Sequence, residues 1–285
     1  MIRFGPSGNS DSFYESGYKS SVQMPKWLSE MGLDAYEYQC GKGIRGENIA
    51  KLIRDKAMAH DIKLSIHAPY YINLASEDAE KREKSKQYIL DSMHLAKVMG
   101  ADRIVVHTGS VSKVDREWAV ETASNVLRET LREAEEMGLS DITICPEVLG
   151  KINQLGDLDE IIKMCSVDDR LIPTIDFGHL HARCMGCLNN IEDFEQVLAK
   201  ISNGLGDDRL KKLHIHFSKV EFTKGGEKRH RKYDETNFGP DFEPLASCLV
   251  KRRMEPVIIC ESRGTMAEDA LKIKNIYEKV LGETK

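Results

Sequence analysis

Six short apolar runs each close on a side chain able to hold a metal ion: Lys63–His67, Arg103–His107, Ile142–Glu147, Leu171–Asp176, Leu213–His216 and Val257–Glu261. Their bodies, among them Leu-Ser-Ile, Ile-Val-Val and Thr-Ile-Cys, suit strands buried on both faces. Parallel barrel strands bring their C-terminal ends to one side. His67, His107, Glu147, Asp176, His214 or His216, and Glu261 would then form a ring drawn from most of the chain. A few elements meeting at a common rim satisfy that pattern more simply than unrelated local sites.

Between the runs lie longer stretches of helical periodicity: Gly46–His60, Asp78–Met99, Asp115–Met137, Leu158–Cys165, Asn190–Ile201, Phe242–Arg253 and Met266–Val280, with an earlier one over Ser20–Met31. Met1–Phe4 and Asp34–Tyr38 read as two further strands. Acidic caps precede several helices and glycine ends others, as at Met99-Gly100 and Met137-Gly138. About eight strand–helix units without a linker predict a single (β/α)8 TIM barrel over residues 1–285. An open doubly wound sheet is the competing fold, but no Gly-rich phosphate loop follows the first strand. In a barrel, residues just past the strand ends build the active site.

No apolar run approaches the ~20 residues needed to span a bilayer, and no signal-like segment opens the chain, so a cytoplasmic, monomeric protein without membrane contact is expected. The seven cysteines are expected to be reduced thiols. Cys184-Met-Gly-Cys187 has the spacing of half a zinc ribbon without a second half. The net charge of −5 does not advertise nucleic-acid binding, yet Lys224–Lys232 carries five basic residues against one acid, directly after a ligand-bearing run.

A single histidine at a strand end is more often a hydrogen-bonding residue than a ligand. Six ligand-type residues at equivalent positions are harder to explain one by one. Carboxylates buried together need compensating charge, and the mixed His, Asp and Glu set suits Zn²⁺, Mn²⁺ or Fe²⁺ rather than Ca²⁺. His214 and His216, two apart on a strand, both face the centre.

The local contexts resemble the endonuclease IV family of abasic-site endonucleases. The resemblance rests on Ser65-Ile-His-Ala-Pro-Tyr-Tyr-Ile-Asn-Leu74, Val105-Val-His-Thr-Gly109, Pro146-Glu-Val-Leu-Gly-Lys151, Ile175-Asp-Phe-Gly-His179, Leu213-His-Ile-His-Phe-Ser-Lys219, Lys228-Arg-His230 and Cys260-Glu261, in order along nearly the whole chain. It implies a zinc cluster. His67 and His107 would hold one ion with Glu147, whose carboxylate bridges to a second held by Asp176, His214 and Glu261. His179 and His230 would hold a third, but the family's aspartate two residues before the second histidine is here Lys228; Glu227 could replace it after a one-residue shift. His216 would act as an outer donor.

The resemblance also implies phosphodiester hydrolysis in damaged double-stranded DNA, 5′ to abasic sites and at blocked 3′ ends. Glu147, Asp176 and Glu261 would be the catalytic carboxylates. Tyr70 and Tyr71 would enter the duplex, Arg45 would probe it, and Lys224, Lys228, Arg229 and Arg231 would contact phosphates. Two readings compete. One is a sugar isomerase or epimerase with one divalent ion on Glu147, Asp176, His214 and Glu261. The other is a metal-loaded DNA-damage binder that Lys228 has made non-cleaving.

Overall fold

The computed structural model describes residues 2–41, 46–111 and 114–283. Ten strands are seen: β1 (Arg3–Pro6), β2 (Ala35–Gln39), β3 (Lys63–His67), β4 (Arg103–Val106), β5 (Thr143–Pro146), β6 (Thr174–Asp176), β7 (His214–Phe217), β8 (Lys219–Thr223), β9 (Gly226–Arg231) and β10 (Val257–Cys260). All but β8 and β9 pair in parallel, in the orders β1-β10-β7-β6 and β2-β3-β4-β5. Parallel bridges Ser7–Glu37 and Glu147–Thr174 join the two groups, closing an eight-stranded barrel. The expected (β/α)8 barrel is the fold.

The sequence explains the walls. Outward strand residues such as Ile66, Ile104, Ile144, Ile215 and Ile258 are fully buried and belong to one large apolar cluster with the helices. The inward set differs. It holds a small separate apolar cluster of Ala35, Val257 and Ile259 together with buried polar residues such as Glu37, Ser65, His214 and His216. Gly5 lets β1 close against β2, because a Cβ there would stand 1.8 Å from the Ala35 carbonyl oxygen.

The helices run close to the sequence expectations: Glu47–Ala59, Ala79–Met99, Arg116–Glu136, Leu158–Cys165, Ile191–Leu205, Glu243–Lys251 and Met266–Glu283. Asp78, Asp115 and Asp157 cap three of them by accepting backbone N–H bonds. Two features escape periodicity. A seven-residue helix, Phe177–Arg183, grows directly out of β6 with Asp176 as its cap. The basic segment after β7 is an antiparallel hairpin, β8–β9, rather than a loop. Among the described residues no helix is long and apolar enough to cross a membrane.

Candidate metal centre

The inward positions at the strand ends converge as the alternation requires. Glu147, fully buried at the end of β5, is their hub. Its Oε2 lies 2.9 Å from His107 Nε2 and 3.4 Å from His67 Nε2. Its Oε1 lies 3.1 Å from His216 Nδ1. The carboxylate thus presents one oxygen to a pair of histidines and the other to a different group. His67 Nδ1 is 2.8 Å from the Ala68 carbonyl oxygen, to which it donates as the Nδ1–H tautomer; that leaves Nε2 as the free nitrogen.

The structure places the two β7 histidines in different groups. His216 joins Glu147, Asp176 and Glu261, with ligand atoms all within 4.8 Å of one another; His214 does not. Both face inward, but they differ in height. His216 is level with Asp176 across the β6–β7 pairing, and His214 is level with Thr174 below. Two residues along a strand is about 6.6 Å, more than a ligand can reach across. His214 Nε2 instead meets Glu37 Oε2 at 2.8 Å. Glu37, fully buried in β2, was not among the expected site residues. A lone acid alternating with Ala35 and Gln39 in an apolar strand was its one signal.

A further group forms on the other side of the centre. Asp176, His179, His230 and Glu261 bring ligand atoms within 4.8 Å of one another. Asp176 accepts the His179 backbone N–H at 2.7 Å, so the cap that starts the short helix also orients a ligand-type histidine. His179 Nδ1 is 3.0 Å from the Val148 carbonyl oxygen, and His230 Nδ1 is 2.6 Å from Ser218 Oγ; in both rings Nε2 remains the outward nitrogen.

Lys228 does not sit beside these histidines as the sequence spacing suggests. Its Nζ is 2.6 Å from Glu221 Oε1. The cause is a bulge: Glu221 pairs with Arg229 but Phe222 pairs with Glu227, which leaves Lys228 as the extra residue. Glu227 therefore takes the position on His230's face that Lys228 would hold in a regular strand. Its Oε2 is 4.0 Å from His179 Nε2. Gly150 makes room, since a Cβ there would lie 2.5 Å from Glu227 Cβ and 2.9 Å from His179 Cδ2.

Burial opposes charge on every one of these groups, and oppositely charged neighbours outweigh it at some and not at others. Burial would lower His67 and His179, but Glu147 for the first and Asp176 with Glu147 for the second raise both to about 9. His214 goes the other way: burial outweighs Glu37 and takes it down to about 4. Burial pushes Asp176 upward despite His179. Buried Glu147 is nonetheless held well below the usual carboxylate range by His107 and His216. Glu147 Oε2 and Asp176 Oδ2 are buried without a hydrogen bond. Orphaned carboxylate oxygens facing imidazole nitrogens fit a divalent cation, which supplies the missing partner.

The whole arrangement has a family. Residues 25–276 match the xylose isomerase-like TIM barrels. The chain belongs to that family. An uncharacterized protein of Methanocaldococcus jannaschii is 32% identical over 254 residues, covering 89% of this chain and 90% of its own. A Mycoplasma pneumoniae protein named "Probable endonuclease 4" is 29% identical over 159 residues, 54% of this chain and 52% of that relative. A solved D-tagatose 3-epimerase-like protein superposes with a TM-score of 0.71 at 21% identity, over 93% of this chain and 97% of that one. The last likeness is one of fold.

The remaining expected site residues that the structure describes lie on this family barrel's rim. Tyr70 and Tyr71 follow β3 and are exposed, with rings 5.8 Å apart, but Tyr71 also packs on Tyr88 at 5.0 Å. Lys224 is exposed in the hairpin turn. Lys228, Arg229 and Arg231 all converge on Glu221, whose carboxyl they hold down at about 2. Arg45 lies outside the described residues. A cleft of about 520 Å³ beside the centre has Ser7, Glu227, Lys228, Arg229, His230, Glu261 and Arg263 among its lining residues. The expectation of reduced thiols changes for one pair, Cys184 and Cys187, which are bridged as a disulfide, whereas Cys40, Cys145, Cys165, Cys248 and Cys260 are free and buried.

Proposed function

We propose that this chain is a divalent-cation phosphodiesterase, with zinc as its natural ion, that nicks DNA 5′ to abasic sites and trims blocked 3′ ends. The observation that carries the reading is the two-sided environment of Glu147: two histidine nitrogens on Oε2 and a third on Oε1. A carboxylate so placed is suited to bridge two cations. His67 and His107 would hold one, and Asp176, His216 and Glu261 the other, with His179, His230 and Glu227 around a third. Bound cations supply a nucleophilic water near neutral pH and offset charge on a phosphodiester in reaction.

The chain's own groups do the rest. Glu261, which lines the cleft, and Asp176, buried behind it, would accept hydrogen bonds from an attacking water and orient it. His230 lines the cleft, where a leaving oxygen would emerge, and His179 is buried against His230 with ring centroids 5.1 Å apart. Arg263 and the basic hairpin favour a polyanion in that cleft, and exposed Tyr70 is suited to stack in a gap left by a missing base. The endonuclease name carried by the Mycoplasma relative agrees with this reading.

One observation favours a second reading. Glu147, Asp176, His216 and Glu261 by themselves suffice for one cation, and the two glutamates could then exchange a proton with a ketose carbon. That chemistry leaves His67, His107, His179 and His230 without a task. The non-cleaving DNA binder loses its motive, since Lys228 is turned to Glu221. Metal analysis paired with incubation on an abasic duplex tests the proposal: at least two ions per chain and a single 5′ nick are expected. One ion, no nick, and solvent deuterium entering a ketose would establish the epimerase instead.

A further inference from the structure

Beneath the proposed cation ligands lies a carboxylate that none of them explains. Glu37 is fully buried at the middle of β2, and its two oxygens face different neighbours. Oε2 accepts from Ser65 Oγ at 3.0 Å and meets His214 Nε2 at 2.8 Å. Oε1 lies 3.1 Å from His216 Nε2 and 3.4 Å from Ser7 Oγ. Ser7 in turn donates to Glu261 Oε1 at 3.0 Å, which ties this layer to a proposed ligand above it.

We propose that Glu37 is a positioning residue: it selects the nitrogen of His216 that faces the cation. The inference rests on the cation-binding part of the proposed function. His216 Nδ1 is the nitrogen on the ligand side, 3.1 Å from Glu147 and 3.5 Å from Glu261. A neutral imidazole that gives the Nδ1 lone pair to a cation must carry its proton on Nε2. Nε2 is buried and is not met by a directed hydrogen bond, and Glu37 Oε1 is the acceptor within reach of it. A small rotation of the ring turns that contact into a hydrogen bond. Carboxylates behind ligating histidines act in this way, fixing the tautomer and raising ligand basicity.

The other contacts make Glu37 an anchor rather than a ligand. Ser65 and His214 occupy Oε2, and Glu37, His214 and His216, whose ligand atoms also lie within 4.8 Å of one another, are wholly enclosed. His214, displaced from the cation set by one level of the barrel, thereby has a task. It clamps the carboxylate from the side opposite His216.

Glu37→Gln keeps the side chain's shape and removes the charge and one acceptor. In competition titrations of the full chain with zinc and a chromophoric chelator, one ion of the wild-type stoichiometry, the one assigned to Asp176, His216 and Glu261, is expected to lose ten- to a hundredfold in affinity. Long-range ¹H–¹⁵N correlation spectra of the zinc-loaded protein should show one His216 tautomer, with Nε2–H, in the wild type and a mixed signal in the variant. Glu37→Asp should restore part of both. Unchanged affinity together with an unchanged tautomer would overturn the proposal. Loss of one whole ion from the stoichiometry would also overturn it, by making Glu37 a ligand. Should Glu37→Gln not fold, Ser65→Ala releases one anchor without touching the charge and is expected to weaken zinc about threefold; no change there counts against the idea. These readouts use no DNA or sugar, so they stand apart from the outcome of the nicking assay.

Discussion

The strand-end ring and the hairpin that overhangs it hold charge in opposite ways. In the ring, Glu147, Asp176 and Glu37 are fully buried, and each faces histidines whose protons can be exchanged for a cation. In the hairpin, three cationic side chains share the single carboxylate of Glu221 near the surface. Removing a charge from the first region leaves partners unpaired in a low-dielectric interior, which is costly. Removing one from the second disturbs a solvated network whose pairs are individually worth little. The ring should therefore be brittle to single substitutions and the hairpin tolerant of them.

The largest expected effect tests the brittle side. Glu147→Gln should lower nicking of an abasic duplex by more than about a hundredfold, beyond the range typical of residues that only support a ligand. Zinc content should fall by at least one ion per chain. A folded variant with full activity would remove the bridging role and, with it, the contrast between the regions.

Next comes the place where ring and hairpin meet. Glu227→Gln is expected to remove the weakest ion and to cut activity about tenfold, whereas Lys228→Asp should leave stoichiometry unchanged because position 228 faces Glu221. Gly150→Ala should mimic the first, since the new Cβ pushes on both Glu227 and His179. If Lys228→Asp gains an ion while Glu227→Gln loses none, the bulge does not choose the ligand.

These positions show how much the sequence made legible. The barrel and the ring were readable because a parallel barrel strand repeats two constraints, apolar walls and a functional C-terminal end, and Lys63–His67 meets both. That His214 and His216 share a face was also readable. Which of them stands level with Asp176 was not, because level depends on pairing to β6 across the barrel's stagger. Lys228 misled for a related reason: spacing to His230 assumes a regular strand, and the bulge shifts it by one. Glu37 lay in plain view within Ala-Tyr-Glu-Tyr-Gln, but a single acid in a strand carries no address until its partners arrive from β3 and β7.

Acidity separates the regions more gently. In the metal-free protein, His67 and His179 sit at about 9, above the ordinary histidine value. A raised folded value stabilises the fold fully below about pH 6.5, and the contribution is lost as pH rises through 9. His214, held near 4, acts in reverse: its contribution is present above about 6.5 and lost as pH falls through 4. Chemical denaturation of the metal-free chain should thus show stability declining between pH 6.5 and 9, and zinc should abolish the decline because loading expels the protons. A flat profile in the metal-free protein would mean that these histidines are not charged by the ring.

The smallest effect belongs to the hairpin. Arg229→Ala removes one of three cations around Glu221 and leaves Lys228 and Arg231 to hold it. The fold should be unaffected within about 0.5 kcal/mol, as for ordinary surface changes. If the hairpin lies against a phosphate backbone, binding to an abasic duplex should weaken severalfold, and the slope of log affinity against log salt should shrink by about one. Metal content should not change. A substitution that lowers zinc stoichiometry but leaves the salt slope intact would reverse the assignment, making the hairpin's charges part of the ring's support rather than a surface for a polyanion.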